Sequence, residues 1–364
     1  MLKRLLYIVN LVFVALLLLA QVSRYISPNI YDKLSLLTYI YPFLIGINII
    51  FCILWLFIKF RFIIIPLVAI FLQAGSIPRI ISITFSNAKE LFLKTNSNTN
   101  ANKAETLQNS AIRFATYNVC GLGYKTKDKE QTTDSILILL KQNNIDIVAM
   151  QDFPRITTTN KIHKKFLANG YNYFYSLNLD RNVMDKSVVY SKYPLGNCGG
   201  LLPLSEEPDE FIYIDVIIGK DTLRIYNLHL ESYLLSSDER NFEKAEDKKG
   251  IMKKLLEANK SRAKEADAIA KLLETETKPF IVTGDFNDTP FSYTYQKIAK
   301  DLTDAFVKKG KGFGITYDKT TIPFRIDYIL TDKHFSVLGY ESPQWSFSDH
   351  YPVFAVLQYT NTKQ

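Results

Sequence analysis

The run "LLTYIYPFLIGINIIFCILWLFIKF", Leu36–Phe60, carries no charged side chain before Lys59. A helix of about 20 apolar residues covers the roughly 30 Å of a bilayer's hydrocarbon, and such a stretch has little reason to exist inside a small soluble core. A second run, "LLYIVNLVFVALLLLAQV" (Leu5–Val22), follows Lys3 and Arg4. On its own it also fits a cleaved signal peptide, with a basic start, an apolar core and small residues near Ala20. The longer run behind it favours a span. A third, "FIIIPLVAIFLQAGSIP" (Phe62–Pro78), is interrupted by Gln73 and Gly75 and followed by Arg79. These runs predict a membrane region over residues 1–85 with about three transmembrane helices.

Basic residues set the orientation. Lys3 and Arg4 flank the first span, and Lys59 and Arg61 separate the second from the third. Both clusters face the cytoplasm if the chain starts inside, and three crossings then deliver the rest to the extracytoplasmic side. The bias is reduced by Arg24 and Lys33 in the intervening loop. A third segment that only dips into the bilayer would leave the domain inside.

Charge follows the same division. Residues 1–111 hold ten Lys/Arg against three Asp/Glu, and residues 112–364 hold 34 against 33. The overall +8 therefore belongs mostly to the membrane-like part and gives almost no support to a nucleic-acid surface on the remainder, although a near-neutral balance leaves room for a local basic groove. Between them, residues 86–110 read as a flexible linker, with "KTNSNTNANKAETLQNS" (Lys94–Ser110) almost without apolar side chains.

Residues 111–364 alternate short apolar runs with helical stretches. Strands are predicted at "IRFATYNV", "DIVAMQ", "SVVYS", "FIYIDVII", "LRIYNLHL", "PFIVTG", "RIDYIL" and "VFAVLQY". Helices are predicted at "TDSILILLKQNN" and from Ser237 to about Glu276. Many strands with a few helices outside them imply a two-sheet α/β sandwich.

The polar residues of interest stand at strand ends. They are Asn118 in "TYNV", Gln151 and Asp152 in "MQD", and Asn227 and His229 in "NLH". Asp285 and Asn287 follow in "GDFND", Arg325 and Asp327 in "RIDYIL", and Ser348, Asp349 and His350 in "SDHYPV". Singly, each has an ordinary explanation as a turn or cap. As an ordered set over roughly residues 111–360 they resemble the endonuclease/exonuclease/phosphatase superfamily, the deoxyribonuclease-I-like phosphodiesterases. The membrane spans with "GDFNDTPFSYTY" and "GFGITY" look like a bacterial membrane-anchored branch.

The resemblance implies a four-layer α/β sandwich, two mixed sheets flanked by helices, and metal-dependent hydrolysis of a phosphoester. It gives Asp285 the water, Asn287 and His350 the phosphate, and Asp327 the support of His350. His229 becomes a second phosphate contact or the acid for the leaving group. It places Mg²⁺, with Mn²⁺ as a second suitable ion, on Asn118, Asp152 and Asp349, a set of hard oxygen donors. Two positions depart from the family. Asp152 stands where Glu is usual, one methylene shorter, and Cys120 where Asp or His is frequent. His163 and His334 have no such context and are expected at the surface. The cysteines Cys52, Cys120 and Cys198 form no disulfide framework; an outward-facing domain allows a Cys120–Cys198 bond, and two free thiols are the preferred expectation.

Substrate is left open between nucleic acid and phospholipid, with lipid contacts through the N-terminal helices and a monomeric catalytic domain. The basic face over Lys248–Lys264 reads as a solvated, charge-paired helix face or as a phosphate contact. The alternative to an enzyme is a catalytically degenerate domain of the same fold that binds or scaffolds.

Overall fold

The computed structural model describes residues 1–84, 88–93, 111–179, 186–201, 211–233, 235, 239–240, 247–320 and 322–360. The expected linker falls mostly outside them. Its early part, Ala88–Leu93, is a short helix, and Phe92 is buried.

Four helices form the N-terminal region: α1 (Leu2–Ser23), α2 (Leu37–Ile58), α3 (Ile64–Phe71) and α4 (Ile77–Ile80). The first two are long and apolar enough to cross a membrane. The third apolar run is not straight, because Phe60–Phe71 and Ala74–Ile80 bend by 47° at the break around Gln73. Buried polar pairs hold the bundle, as suits helices in a medium without water. Trp55 Nε1 donates to Asn10 Oδ1 (2.9 Å), and Tyr41 Oη donates to Gln73 Oε1 (2.7 Å).

The helix Ala88–Leu93 is α5, and the remaining helices are α6 (Lys129–Gln142), α7 (Lys161–Ala168), α8 (Lys248–Leu273), α9 (Tyr293–Ile298) and α10 (Ala305–Lys309). The strands, in chain order, are β1 (Ser82–Ile83), β2 (Ala111–Asn118), β3 (Ile147–Gln151), β4 (Tyr173–Ser176) and β5 (Ser187–Ser191). They continue with β6 (Leu195–Gly200), β7 (Phe211–Ile218), β8 (Asp221–His229), β9 (Phe280–Asp285) and β10 (Thr303–Asp304). Last come β11 (Lys311–Gly312), β12 (Asp327–Thr331), β13 (Phe335–Glu341) and β14 (Val353–Tyr359).

Two mixed six-stranded sheets follow, in the orders β13-β14-β2-β3-β5-β4 and β10-β12-β9-β8-β7-β6, while β1 pairs with β11. Each large sheet has one parallel pair near its centre, β2 with β3 and β8 with β9. Alternating apolar residues such as Phe114, Ile147, Ile214 and Ile225 fill the space between the sheets. The outer face of the first sheet is covered by α6 and α7 through Leu140 and Phe166. That of the second is covered by α8 and α9 through Ile269 and Ile298. This is the four-layer sandwich that the sequence implies.

Six of these strands were not predicted: β4, β6, β10 and β13 at the sheet edges, and the two-residue pair β1 and β11; β6 ("LGNCGG") has no apolar alternation to find. His163 corrects an expectation: it is buried, not at the surface. Helix α7 presents it to the sheet, where its ring lies 4.1 Å from that of Phe174 and Nδ1 lies 3.2 Å from Tyr190 Oη. All three cysteines are free.

The apolar bundle packs directly on the sandwich. Tyr41 stacks on Phe291 with ring centres 4.5 Å apart, and Lys260 pairs with Asp32 at 2.7 Å. Asn259 Nδ2 donates to Ser35 Oγ (2.7 Å), and Arg79 Nη1 donates to Gln296 Oε1 (3.0 Å). The contacts involve the connection between α1 and α2, the start of α2 and the end of α4.

Candidate active site

Strand register places the chemistry. In the second sheet His229 sits opposite Asp285, and Asp285 opposite Asp327, so three neighbouring strands end in one row. In the first sheet Asn118 is paired with Gln151, and Asp152 is the next residue. Both parallel pairs therefore finish at one edge of the sandwich, where open α/β sheets usually bind ligands.

The order of residues in "GDFND" now has a physical reason. Gly284 has φ +127°, and a Cβ there would lie 1.9 Å from the carbonyl oxygen of Leu228. Only glycine lets β8 and β9 approach so closely, which in turn brings His229 beside Asp285. Asn287 turns left-handed at φ +50°, its N–H donates to Asp285 Oδ1 (2.8 Å), and its Nδ2 donates to Leu230 O (2.9 Å). Asp288 is not in the cavity wall; it is buried and pairs with Arg262 (3.4 Å), the arginine whose guanidinium lies over Tyr233.

Asp285 Oδ2 is the focus. Asn118 Nδ2 donates to it at 3.0 Å, His350 Nε2 lies 3.6 Å away and His229 Nε2 lies 3.8 Å away. Behind His350, Nδ1–H donates to Asp327 Oδ2 at 3.0 Å. Burial opposes charge on His350, but Asp327 and Asp285 outweigh it and raise the imidazole to about 10. It is an imidazolium at neutral pH. Burial, with the charge of Asp327, pushes Asp285 up to about 6 against the two histidines. A carboxylate so placed is close to the range in which a general base works best.

His229 Nδ1 lies 3.6 Å from Asp152 Oδ1, is buried, and has no hydrogen-bond partner among the described residues. Asp152 turns left-handed at φ +49°, and its Oδ2 accepts from Asn118 Nδ2 at 3.3 Å. The shorter carboxylate therefore still reaches the cluster. Asp349 is held by Arg240 Nη1 (3.2 Å) and accepts from Ser348 Oγ (3.3 Å). Burial, together with Asp349 and Asp152, pushes the Cys120 thiol up to about 12, so it stays protonated beside them.

Asn118, Asp152, His229, Asp285, Asn287, Asp349 and His350 line one cavity of about 610 Å³. Every predicted site residue is in its wall except Asp327, which stands behind His350. Asp152 and Asp349 offer hard oxygens that suit a divalent ion. Asn118 shows its amide nitrogen to the carboxylates while Oδ1 accepts from Cys120 N (3.0 Å), so the amide must turn over to give an ion its oxygen. The most compact group of metal-ligand type among the described residues is a different one, Asp285, Asp327 and His350. It can hold a metal ion, but its atoms already pair with one another.

Two conspicuous sequence residues are structural. Gln151 Nε2 donates to Asn227 Oδ1 (2.6 Å) and ties the two sheets together beneath the cavity. Arg325 is buried on Asp304 (2.7 Å). The sequence reading missed Arg240, Tyr317 and Tyr39 as cavity residues. Tyr317 packs on the His350 ring at 4.8 Å and lies in "GFGITY", a stretch already noted as family-like. No sequence signal pointed to Arg240 or Tyr39.

Comparison with known proteins points to one family for the sandwich. The profile described as the Endonuclease/Exonuclease/phosphatase family matches residues 115–350. A second profile, a domain of unknown function, matches residues 3–80. No curated protein matches the chain. Among solved structures, an endonuclease/exonuclease/phosphatase from Beutenbergia cavernae is 16% identical, with 69% of this chain and 72% of that one covered and a TM-score of 0.49. A family protein from Bacteroides thetaiotaomicron is 17% identical, with coverage of 69% and 98% and a TM-score of 0.49. A mannosyl-6-phosphatase from the same organism is 17% identical, with coverage of 68% and 100% and a TM-score of 0.47.

Proposed function

From a chain that belongs to the endonuclease/exonuclease/phosphatase family, we propose a membrane-anchored, divalent-metal-dependent phosphoesterase whose general base is Asp285. The observation that carries the reading is the position of Asp285 Oδ2 between the Nε2 atoms of His229 and His350. A phosphoryl group in the cavity would meet a base, a permanent cation and two further donors from fixed directions.

In the proposed reaction Asp285 takes one proton from a water, whose oxygen forms the new P–O bond. The ester P–O bond breaks, and the leaving oxygen takes a proton from His229. The products are an alcohol and a phosphate carrying one ester fewer. His350, kept charged by Asp327, and Asn287 hold non-bridging oxygens whose charge is redistributed in the transition state. A divalent ion held by Asp152, Asp349 and a turned Asn118 would supply Lewis-acid charge to the phosphoryl and leaving oxygens. Asp327 acts through His350 and touches no reacting atom.

We place the catalytic unit at residues 111–364 and the membrane unit at 1–85. The sandwich contacts the α1–α2 connection at Asp32 and Ser35 and the start of α2 at Tyr41, whereas Lys3, Arg4, Lys59 and Arg61 belong to the opposite ends of those helices. With the basic ends in the cytoplasm, the sandwich lies outside, and the bent α3–α4 segment brings the chain back to it.

The test is hydrolysis of bis-p-nitrophenyl phosphate and p-nitrophenyl phosphate by the full chain in lipid nanodiscs, with Mg²⁺, Mn²⁺ or chelator. Metal-dependent release of p-nitrophenolate supports the reading. No release with either ion, at enzyme concentrations that detect slow turnover, would leave the degenerate-domain alternative in its place.

A further inference from the structure

The polar cavity has an apolar neighbour. A second cavity of about 310 Å³ lies between the start of α2 and the segment 313–325, at the lower end of the size typical of small-ligand sites. Pro42, Phe43, Phe291, Phe313, Ile315 and Ile322 give it an almost wholly apolar wall. Tyr39, Thr289 and Phe324 line both cavities, so the two lie against each other at these three residues. Tyr39 and Phe324 form an edge-to-face pair there, with ring centres 6.0 Å apart.

Two further observations bear on the occupant of this pair. The hydroxyl of Thr289 is buried and has no hydrogen-bond partner among the described residues. Phe43 and Phe313 are both wall residues and largely exposed, on the flank where α2 shows its membrane-type surface. An apolar chain could enter from that side without passing through water.

We propose that the substrate is an amphiphile, a lipid whose phosphoester enters the polar cavity while one hydrocarbon chain lies in the apolar cavity between α2 and residues 313–325. The inference rests on the phosphoesterase reading for the reaction but not for binding. The adjacency of a polar and an apolar cavity selects the occupant: a chain joined to a phosphate uses both, whereas a nucleic-acid backbone uses the polar one alone. The N-terminal helices are part of the binding site as well as an anchor.

The experiment compares short and long ligands on the full chain in nanodiscs with Mg²⁺. Binding of methylphosphonate and octylphosphonate is measured for wild type, Ile315→Trp, which fills the cavity, and Phe313→Asp, which charges its exposed mouth. The two variants fail differently if either misfolds, and the unfolding midpoint of each is recorded. Octylphosphonate should bind wild type at least about tenfold more tightly than methylphosphonate, given the gain per buried methylene. That ratio should fall toward one in both variants. The ratio of kcat/KM for octyl against methyl p-nitrophenyl phosphate should follow the same pattern.

Equal affinity for the two phosphonates in wild type overturns the inference. So does a preference that survives in both folded variants, since it would then report partition into the lipid. If neither ester is hydrolysed while the binding preference and its loss are seen, the hydrolase reading fails and the amphiphile site stands.

Discussion

The two sheets meet the cavity in different ways. The second sheet contributes His229, Asp285 and Asp327 from three adjacent strands in fixed register, and all three are buried. The first contributes Asn118 at a strand end and Asp152 from the turn behind it, where the Asp152 side chain is 42% exposed. In the proposed reaction the buried side handles protons, and its charges are strengthened by a low dielectric and fixed by neighbours. In that reaction the side of the first sheet, open to solvent at Asp152, offers oxygen atoms to an ion that keeps several waters and tolerates adjustment. The difference teaches that substitutions on the two sides should not cost the same.

The largest effect belongs to Asp285. Asp285→Asn keeps the shape and removes the base, and turnover of bis-p-nitrophenyl phosphate should drop by about 10³–10⁴. A loss under tenfold would break the contrast between the sheets. His350→Ala removes the buried cation, and Asp327→Asn removes what keeps it charged. Each should lower kcat by about 10²–10³. Asp327→Asn should also bring the alkaline loss of activity below pH 10, a shift that a merely structural change would not produce.

Gly284→Ala tests the scaffold of the buried side. A methyl group aimed at Leu228 O should force β8 and β9 apart and cost about 3 kcal/mol, read from the unfolding midpoint. Tolerance of alanine there would contradict the close approach of the strands. The smallest effect lies on the exposed side. Asp152→Glu should lower the Mg²⁺ concentration for half-maximal turnover by no more than about tenfold. If Asp152→Ala titrates like wild type, Asp152 does not hold the ion.

Much of the buried side was legible in the sequence. "GDFND", "NLH", "RIDYIL" and "SDHYPV" carry their polar residues at strand ends, and strand ends are read from apolar runs. The strands predicted at "SVVYS", "FIYIDVII" and "VFAVLQY" have the observed bounds. Edge strands were missed because pairing on one side imposes little pattern. His163 was misread because one side of a short amphipathic helix can bury a histidine when a tyrosine hydroxyl receives it. Tyr39 and Arg240 were invisible for another reason. Nothing in an apolar span or in a polar stretch announces that folding brings it to a cavity assembled elsewhere. The packing of the bundle on the sandwich is a tertiary fact, although Phe291 and Tyr41 are both apolar enough to make it.

The central claim is that Asp285 accepts the proton of the attacking water from its place between two imidazoles. The most direct measurement is the pH dependence of kcat/KM for bis-p-nitrophenyl phosphate, from pH 4.5 to 8 at saturating Mg²⁺. Burial raises Asp285, so the carboxylate form needed for catalysis is scarce below about 6 and dominant above it. The account predicts a rate that climbs with pH through about 6 in wild type and an Asp285→Asn variant without that limb. A wild-type rate already level at pH 5, or one that falls as pH rises from 5 to 7, would contradict it.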